Sequence, residues 1–521
     1  MRYGKTNKDK LRQKKHDIAF RKLVSELIPA HPKDEFPWTR RIKRHFIIHS
    51  GTTNTGKTYN ALQALKSAGT GIYLAPLRLL ALQVFQLLNE DGVPCTLSTG
   101  EEDIITPGAN HMSSTIEKLD TDQQYDIAVI DEAQMLADRQ RGSAWTRAIL
   151  GVIAGEVHIC CQPNAVKLVG QLIHSCNDTY TVLEYHRDTE LVFQDKPFLF
   201  PSGVERGDAL IAFSKRMVLA IAGVLAEKNI RSSVIYGNLP PETRRNQMKA
   251  FEKGETEVVV STDAIGMGLN LPVKRVVFMT ATKFDGVNEN LLRPNEVKQI
   301  AGRAGRKGIY EIGYVNCVEY KKHIETALNT DLGDLTRAYY LPAEEYVLKL
   351  PTGTLKQRII ACLNARKDVS WLYKTDIEQP LKLLQKIDKM SLSMEDKLRL
   401  IFMPFDAKND DLVREWLEYT KVYHSGKRRL RLPATHAETL DAMEQHYQSL
   451  DLYYSYCKTM NITMSKQEVI RLKYETSEKI QELLKERMKS MGRTCRICDL
   501  KLPWDYQFGI CENCYQRRFQ V

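Results

Sequence analysis

No run of about 18 apolar residues occurs anywhere in the 521-residue chain, which leaves no candidate for a membrane-spanning helix. The N-terminus has no apolar stretch of the kind a secretory signal needs. Both absences point to a soluble, unsecreted protein with no membrane partner. Cysteine is sparse: of eleven, seven are scattered and four gather near the C-terminus. That distribution suits a reducing compartment with one metal site better than a disulfide framework. No low-complexity linker is present, and no internal repeat beyond a doubled α/β pattern.

What is there begins with length enough for three or four domains, each with its own core. An excess of Lys and Arg gives a net charge of +11, a mild bias toward anionic partners. Residues 1–40 form a basic extension that opens MRYGKTNKDKLRQKKHD and reads either as a solvated tail or as an RNA-touching arm. A mitochondrial presequence is richer in Arg and Ser and poorer in acids. The expected compartment is therefore the cytoplasm, with the mitochondrial matrix as the alternative.

Over 41–190, the apolar runs RHFIIHS, GIYLAP, YDIAVIDE, EVHICC and YTVLEY alternate with helical stretches. Over 191–330 the pattern repeats with ALIAFS, SSVIYG, EVVVST, RVVFMT and GYVNCV. Strand, helix, strand at this spacing reads as βαβ units and a parallel sheet covered on both faces. From 331 to 490 helical periodicity takes over. Leu440, Met443, Tyr447, Leu450, Tyr454 and Cys457 recur at three- and four-residue steps, and their aromatics read as core. Ser465 with Glu468 fits a capping box opening the last long helix.

The first lobe carries GTTNTGKT, in which Gly51, Thr52, Thr53, Asn54, Thr55, Gly56, Lys57 and Thr58 match GxxxxGKT between a strand and a helix. There backbone N–H groups wrap phosphates, Lys57 reaches the outer ones and the Thr58 hydroxyl holds Mg²⁺. Asp131 and Glu132 end an apolar strand, where acidic residues face the ligand crevice of a parallel sheet. Asp131 is the second Mg²⁺ candidate and Glu132 the base for the attacking water. The second lobe has no GKT of its own, but carries Gln299, Arg303 and Arg306 in QIAGRAGR. Arginines three apart are expected on one side of a helix turn, aimed across an interlobe cleft at a γ-phosphate.

These segments, in this order, resemble the superfamily 2 helicases of the DExD/H-box type, and among them the ATP-dependent RNA helicase of the mitochondrial degradosome and its bacterial relatives. GTTNTGKT at 51, APLRLLA at 75, STGEE at 98, STIE at 114, DEAQ at 131, RGSAWTRA at 141, GDALIAFSK at 207, VIYGNLPPETR at 234, STDAIGMGLNLP at 261 and QIAGRAGR at 299 carry the resemblance over about 260 residues. It implies an α/β fold of two tandem RecA-like parallel-sheet lobes, followed by an all-α C-terminal region. It implies that Lys57, Thr58, Asp131, Glu132, Gln299, Arg303 and Arg306 bind and hydrolyse MgATP. Asp263, Gly266 and Gly268 match the segment linking nucleotide to bound strand. Pro76, Arg78, Thr99, Gly100, Thr115 and Thr262 match positions that grip the nucleic-acid backbone, a job suited to amides, small hydroxyls and one guanidinium. The implied activity is an RNA helicase or translocase moving 3′ to 5′ as a monomer on single-stranded or partly duplex RNA, with a ribonuclease as a decay partner. A DNA helicase, an RNA-stimulated ATPase that translocates without processive unwinding, and a non-enzymatic RNA adaptor are the alternatives.

Two features depart from that family. Cys160-Cys161-Gln162-Pro163 stands where many relatives have a Ser-Ala-Thr segment, and only the short connector ATKFDGVNENLLRPNEV is available for a strand-separating hairpin. The other is an addition over 491–521, where Cys495, Cys498, Cys511 and Cys514 form two CxxC pairs, the S₄ set of a structural Zn²⁺, with a redox-active CxxC as the rival reading that two pairs argue against. Trp504, Tyr506 and Phe508 between the pairs, with Arg517 and Arg518 after them, read as the module's own core or as an RNA-stacking surface.

Overall fold

The computed structural model describes residues 19–266, 271–306, 308–365, 369–435, 437–490, 495, 497, 498, 500, 502, 506 and 510–519. Gly268, Trp504 and Phe508 lie outside the described residues, as does the side chain of Arg518. The Lys-rich opening, residues 1–18, lies outside them too.

The first sheet has eight strands: β1 (His45–Gly51), β2 (Gly71–Ala75), β3 (Cys95–Ser98), β4 (Asp103–Ile104), β5 (His111–Thr115), β6 (Gln124–Ile130), β7 (Ile153–Cys161) and β8 (Thr179–Tyr185). Their order is β4-β3-β5-β2-β6-β7-β1-β8, parallel except where β4 pairs with β3. Helix α1, described over 19–27, precedes the sheet. Parallel neighbours need crossovers, supplied here by helices α2 (Lys57–Ser67), α3 (Arg78–Glu90), α4 (Gly142–Gly151) and α5 (Val166–Ser175). Alternation along the strands sorts the two faces. Ile72 and Leu74 join Trp145 and Leu168 on one side. Tyr73 and Ala75 join Leu65 and Leu82 on the other. The short runs at β3 and β5 escape the sequence pattern because polar and small residues break them.

The second sheet holds β9 (Glu190–Phe193), β10 (Asp208–Ile211), β11 (Ser232–Ile235), β12 (Val258–Ser261), β13 (Arg275–Phe278) and β16 (Ile312–Cys317) in the order β11-β12-β10-β13-β16-β9, all parallel. Helices α6 (Lys215–Glu227), α7 (Pro241–Glu252), α8 (Pro294–Ala301) and α9 (Lys321–Asn329) accompany it. Between β13 and β16 the short connector does form a hairpin, β14 (Thr282–Phe284) with β15 (Glu289–Leu291), which leaves Phe284 and Val287 exposed.

The helical region comprises α10 (Glu344–Lys349), α11 (Leu355–Asn364), α12 (Glu378–Ile387), α13 (Met394–Phe402), α14 (Asp410–His424), α15 (Leu440–Thr459) and α16 (Lys466–Ser490). It is not free of strands: β17 (Ala338–Tyr340) and β18 (Leu372–Lys374) make a small parallel pair. The periodic stripe on α15 is buried, as an apolar stripe at that spacing demands. Its N-terminal half, Leu440 to Tyr447, packs on the second sheet's helix α6, whereas Tyr454 and Cys457 enter the bundle's own core. The Ser465 hydroxyl accepts from Glu468 N at 3.3 Å, capping α16. No helix among the described residues is long and apolar enough to cross a membrane. Residues 19–40 are packed: Val24 and Ile28 enter the bundle core, Lys33 donates to Ser175 O and Thr39 to Gly151 O.

Candidate nucleotide site and nucleic-acid surface

The phosphate loop runs from the end of β1 into α2. Asn54 and Gly56 take positive φ, 64° and 80°, which Gly and Asn tolerate best. Nothing stands within 4 Å of where a Gly56 side chain would start, so the loop's backbone faces open space. Lys57 is buried and donates to Thr52 O at 3.1 Å, folded over the loop it serves. Thr58 Oγ1 donates to Asp131 Oδ1 at 3.2 Å, which brings the two Mg²⁺ candidates together. Hydroxyl and carboxylate oxygens side by side are the hard donors that Mg²⁺ prefers, so this pair fits the ion.

Asp131 is fixed from two further directions. Tyr73 donates its hydroxyl to Oδ2 at 2.8 Å, and the buried Trp145 indole donates to the Asp131 carbonyl at 2.9 Å. Burial, with the neighbouring Glu132 carboxylate, pushes Asp131 above the usual carboxylate range, against the pull of Lys57 and the Tyr73 bond. A cation beside it would reverse that balance. Glu132 sits at φ 52°, a strained setting for a non-glycine residue that turns its side chain out of the strand line. Gln134 ties Glu132 to its Nε2, while its Oε1 accepts from Gln162 N at 3.2 Å. The departure at Cys160–Pro163 thus keeps a direct link to the acidic pair.

The second lobe closes the site. Asn54 Nδ2 donates to Gly302 O at 3.1 Å, and a β-carbon added at Gly302 would fall 2.9 Å from Thr53 Cβ. Arg303 is held by Gly266 O at 2.6 Å from its Nη2. Burial lowers the pKa of its guanidinium, against the pull of the Glu132 and Asp131 carboxylates of the other lobe. Gln299 on α8 packs beside Gly266. The helix-turn expectation for the two arginines is corrected here. α8 ends at Ala301 with Gly302 as its C-cap, and Arg303 and Arg306 follow in a turn that passes through Gly305 at φ 73°. Arg306 is half-buried beyond that turn. Asp263 pairs with Lys283 of the hairpin.

The six backbone-gripping candidates are recessed. Pro76 O accepts from Arg141 Nη2 at 2.6 Å. Thr99 Oγ1 donates to Glu102 O at 3.0 Å and accepts from Glu102 N, and Lys458 Nζ caps the Thr99 carbonyl at 2.9 Å. Gly100 O accepts from Ser455 Oγ at 3.1 Å, with Pro404 against its α-carbon. Thr262 Oγ1 accepts from Ala264 N at 3.3 Å, and Thr115 is half-buried ahead of a 3₁₀ turn. Arg78 is not presented to an open groove: it lies 3.1 Å from Glu102, 3.2 Å from Asp451 and 3.9 Å from Glu242. Those carboxylates come from lobe one, α15 and the first turn of α7. Sequence reasoning missed this junction, along with Tyr73, Trp145, Gln134 and Arg187. Tyr73 and Arg187 carry no motif signal, whereas Gln134 stands in DEAQ and Trp145 in RGSAWTRA with no individual role read from either.

Cys495, Cys498, Cys511 and Cys514 offer sulfurs that all lie within 4.8 Å of one another. Cys511 N donates to Cys495 Sγ at 3.2 Å, a bond that favours the thiolate a metal needs. Four converging thiols suit tetrahedral coordination. Tyr506 and Ile510 pack against this cluster, the core role for Tyr506. The other seven cysteines are free and buried.

Comparison with known proteins places the chain in a family. Residues 32–185 match the DEXQ-box helicase domain of Suv3, and residues 198–308 match the helicase conserved C-terminal domain. The mitochondrial DExH-box ATP-dependent RNA helicase DExH16 of Arabidopsis thaliana is 36% identical over 444 residues, covering 81% of this chain and 77% of that protein. DExH18 of the same plant is 35% identical over 83% of this chain and 58% of its own length. The mitochondrial ATP-dependent RNA helicase SUV3 of Saccharomyces cerevisiae is 37% identical over 72% of this chain and 54% of its own. The chain thus spans little more than half the length of two of these relatives. All three are named as mitochondrial, which overturns the cytoplasmic expectation; the composition of a short N-terminal stretch was too thin a signal to carry it. With the two domain matches in motif order and more than three quarters of DExH16 covered, the chain belongs to the Suv3 family of DEXQ-box helicases.

Proposed function

We propose that the chain is an ATP-dependent RNA helicase, a motor that moves 3′ to 5′ along one strand and opens or remodels RNA in the service of RNA decay. Residues 41–190 and 191–330 form its two motor lobes, 331–490 a helical domain, 491–521 a Cys₄ module and 1–40 an extension. The observation that carries this reading is the bond from Asn54 Nδ2 of the phosphate loop to Gly302 O, 3.1 Å, which seats the segment bearing Arg303 of lobe two against lobe one.

Bound MgATP supplies the phosphoanhydride and the cation that neutralises its charge. Gly51 to Gly56 would wrap the phosphates with backbone N–H groups, Lys57 would leave Thr52 O for the outer phosphates, and Thr58 with Asp131 would hold Mg²⁺. Glu132, oriented by Gln134, takes the proton of the attacking water. Gln299, Arg303 and Arg306 complete the pocket from lobe two, so hydrolysis depends on how the lobes meet. Asp263 and Gly266 relay that meeting toward the strand, through Lys283 to the hairpin whose exposed Phe284 and Val287 suit a wedge between bases. Cys495, Cys498, Cys511 and Cys514 would hold Zn²⁺, which would tie the C-terminal module together without entering the chemistry. Both halves of the site come from one chain, so a monomer suffices. The single strand released is the form a ribonuclease consumes.

The test is ATP turnover with single-stranded RNA, single-stranded DNA or neither, followed by unwinding of duplexes with 3′ or 5′ overhangs. Stimulation by RNA and opening from a 3′ overhang are expected. Equal turnover with and without RNA contradicts the reading; stimulation by DNA alone favours a DNA helicase. RNA stimulation with no strand separation favours a translocating ATPase.

A further inference from the structure

The connector between the two sheets is short, residues 186–189, running from the end of β8 at Tyr185 to the start of β9 at Glu190. Arg187 in it pairs with no carboxylate among the described residues. Its guanidinium donates instead to backbone carbonyls: Nε to Thr189 O at 2.8 Å, Nη1 to Gly302 O at 3.1 Å and Nη2 to Ala304 O. Thr189 Oγ1 takes the next carbonyl, Gly305 O, at 2.9 Å, and itself accepts from Arg187 Nε at 3.0 Å. Two connector residues therefore hold the carbonyls on both sides of Arg303. The Gly302 carbonyl has a second donor, Asn54 Nδ2 of the phosphate loop. One carbonyl thus receives both the loop that binds phosphate and the connector whose bending must accompany any movement of one lobe on the other.

A guanidinium fork spent on three carbonyls fixes the direction of a turn more firmly than a single donor could, because its N–H vectors are planar and rigidly spaced. The turn needs such a brace. It follows the end of α8, reverses through Gly305 at positive φ, and meets the segment ahead of β13 through the Gly305 N to Val273 O bond, 2.9 Å. We propose that Arg187 is a positioning residue for Arg303, setting the turn that carries it against the phosphate loop and coupling its aim to the bend of the interlobe connector. This rests on the reading that Arg303 serves phosphoryl transfer. Arg187 itself touches neither nucleotide candidate nor strand candidate; it acts through the backbone of Gly302 and Ala304.

The experiment measures ATP turnover of the full chain with a single-stranded RNA oligonucleotide, for Arg187→Ala, Arg187→Lys, Arg303→Ala and the double Arg187→Ala/Arg303→Ala. A reacting geometry misplaced by about 1 Å costs about 10²-fold in rate, so Arg187→Ala should lower kcat by about that factor, with KM for ATP and RNA affinity within about twofold of wild type. Arg187→Lys should recover little, since one ammonium cannot span three carbonyls. The double variant should be no slower than Arg303→Ala alone, because both remove one function. Thr189→Val, which removes only the hydroxyl on Gly305 O, should lower kcat in the same direction by less, and keeps the test alive if Arg187→Ala fails to fold. Wild-type kcat in both Arg187→Ala and Thr189→Val, or losses that multiply in the double variant, overturn the positioning role while leaving Arg303 in place. Wild-type turnover by Arg303→Ala would overturn the reading of Arg303 and the role of Arg187 with it.

Discussion

Arg78 Nη1 stands 3.2 Å from Asp451 Oδ1, joining the first turn of α3 to the middle of α15 across 373 positions of sequence. Glu102 and Glu242 complete the guanidinium's surroundings, and Lys473 approaches the same Asp451 at 2.5 Å. Both lobes and the helical domain therefore meet on one side chain. Tyr447, which donates to Glu242 at 3.0 Å, extends the cluster, and acids outnumber cations in it. Burial lowers the Arg78 pKa, but the nearby Tyr447, Asp451, Glu102 and Glu101 raise it further, so the net direction is upward.

Removing one partner of a buried ion pair costs up to about 5 kcal/mol; Glu102 would lose its cation while Asp451 keeps Lys473 and Glu242 keeps the Tyr447 hydroxyl, which brings the loss to about 3 kcal/mol. Arg78→Ala should lose stability on that order, read as a shifted midpoint in urea denaturation. Wild-type stability with a large loss of RNA affinity would instead put Arg78 on the strand, as the family resemblance implies.

The Cys₄ module should bring about one zinc per chain, since four thiolates close a single tetrahedral shell. Elemental analysis of wild type and of Cys511→Ser checks this. Loss of the metal in the variant is expected, and metal-free wild type would contradict the assignment.

His49 gives a pH dependence with a definite sign. Its ring lies between the Tyr185 hydroxyl and His158 Nδ1, 2.8 Å from each, and His158 in turn meets Glu156 at 2.7 Å. Burial, then the neighbouring His158, lowers His49 from an ordinary 6.5 to about 4. Between those values the unfolded chain takes up a proton that the folded chain refuses, so this contribution is whole above about pH 6.5 and falls away as pH drops toward 4. Denaturation midpoints measured from pH 7.5 to 4.5 should decline in wild type and decline less in His49→Asn. Parallel curves would remove His49 as the cause.

Much of this site was legible in the sequence because its chemistry lies in contiguous residues. GTTNTGKT, Asp131-Glu132 and the paired CxxC segments each state a ligand set locally, and the strand runs around them alternate with period two. The rest depends on contacts between distant segments. Nothing near Arg78 announces that Asp451 and Glu242 will reach it, and nothing near Arg187 announces Gly302. QIAGRAGR reads as continuous helix because Ala and Arg favour one, yet Gly302 caps α8 and Gly305 turns the chain, so Arg303 is aimed from a turn. β3 and β5 were hidden by Ser, Thr and His within a sheet whose tertiary setting overrides local preference.

The central claim is that the two lobes share one hydrolytic pocket, with Arg303 crossing from the second to the acids of the first. The most direct measurement is RNA-stimulated ATP turnover by Arg303→Ala, with ATP and RNA binding followed in parallel. An arginine of this kind is worth about 10³ to 10⁵ in rate, so kcat should fall by at least about 10³-fold while both ligands still bind. Turnover at the wild-type rate would contradict the shared pocket.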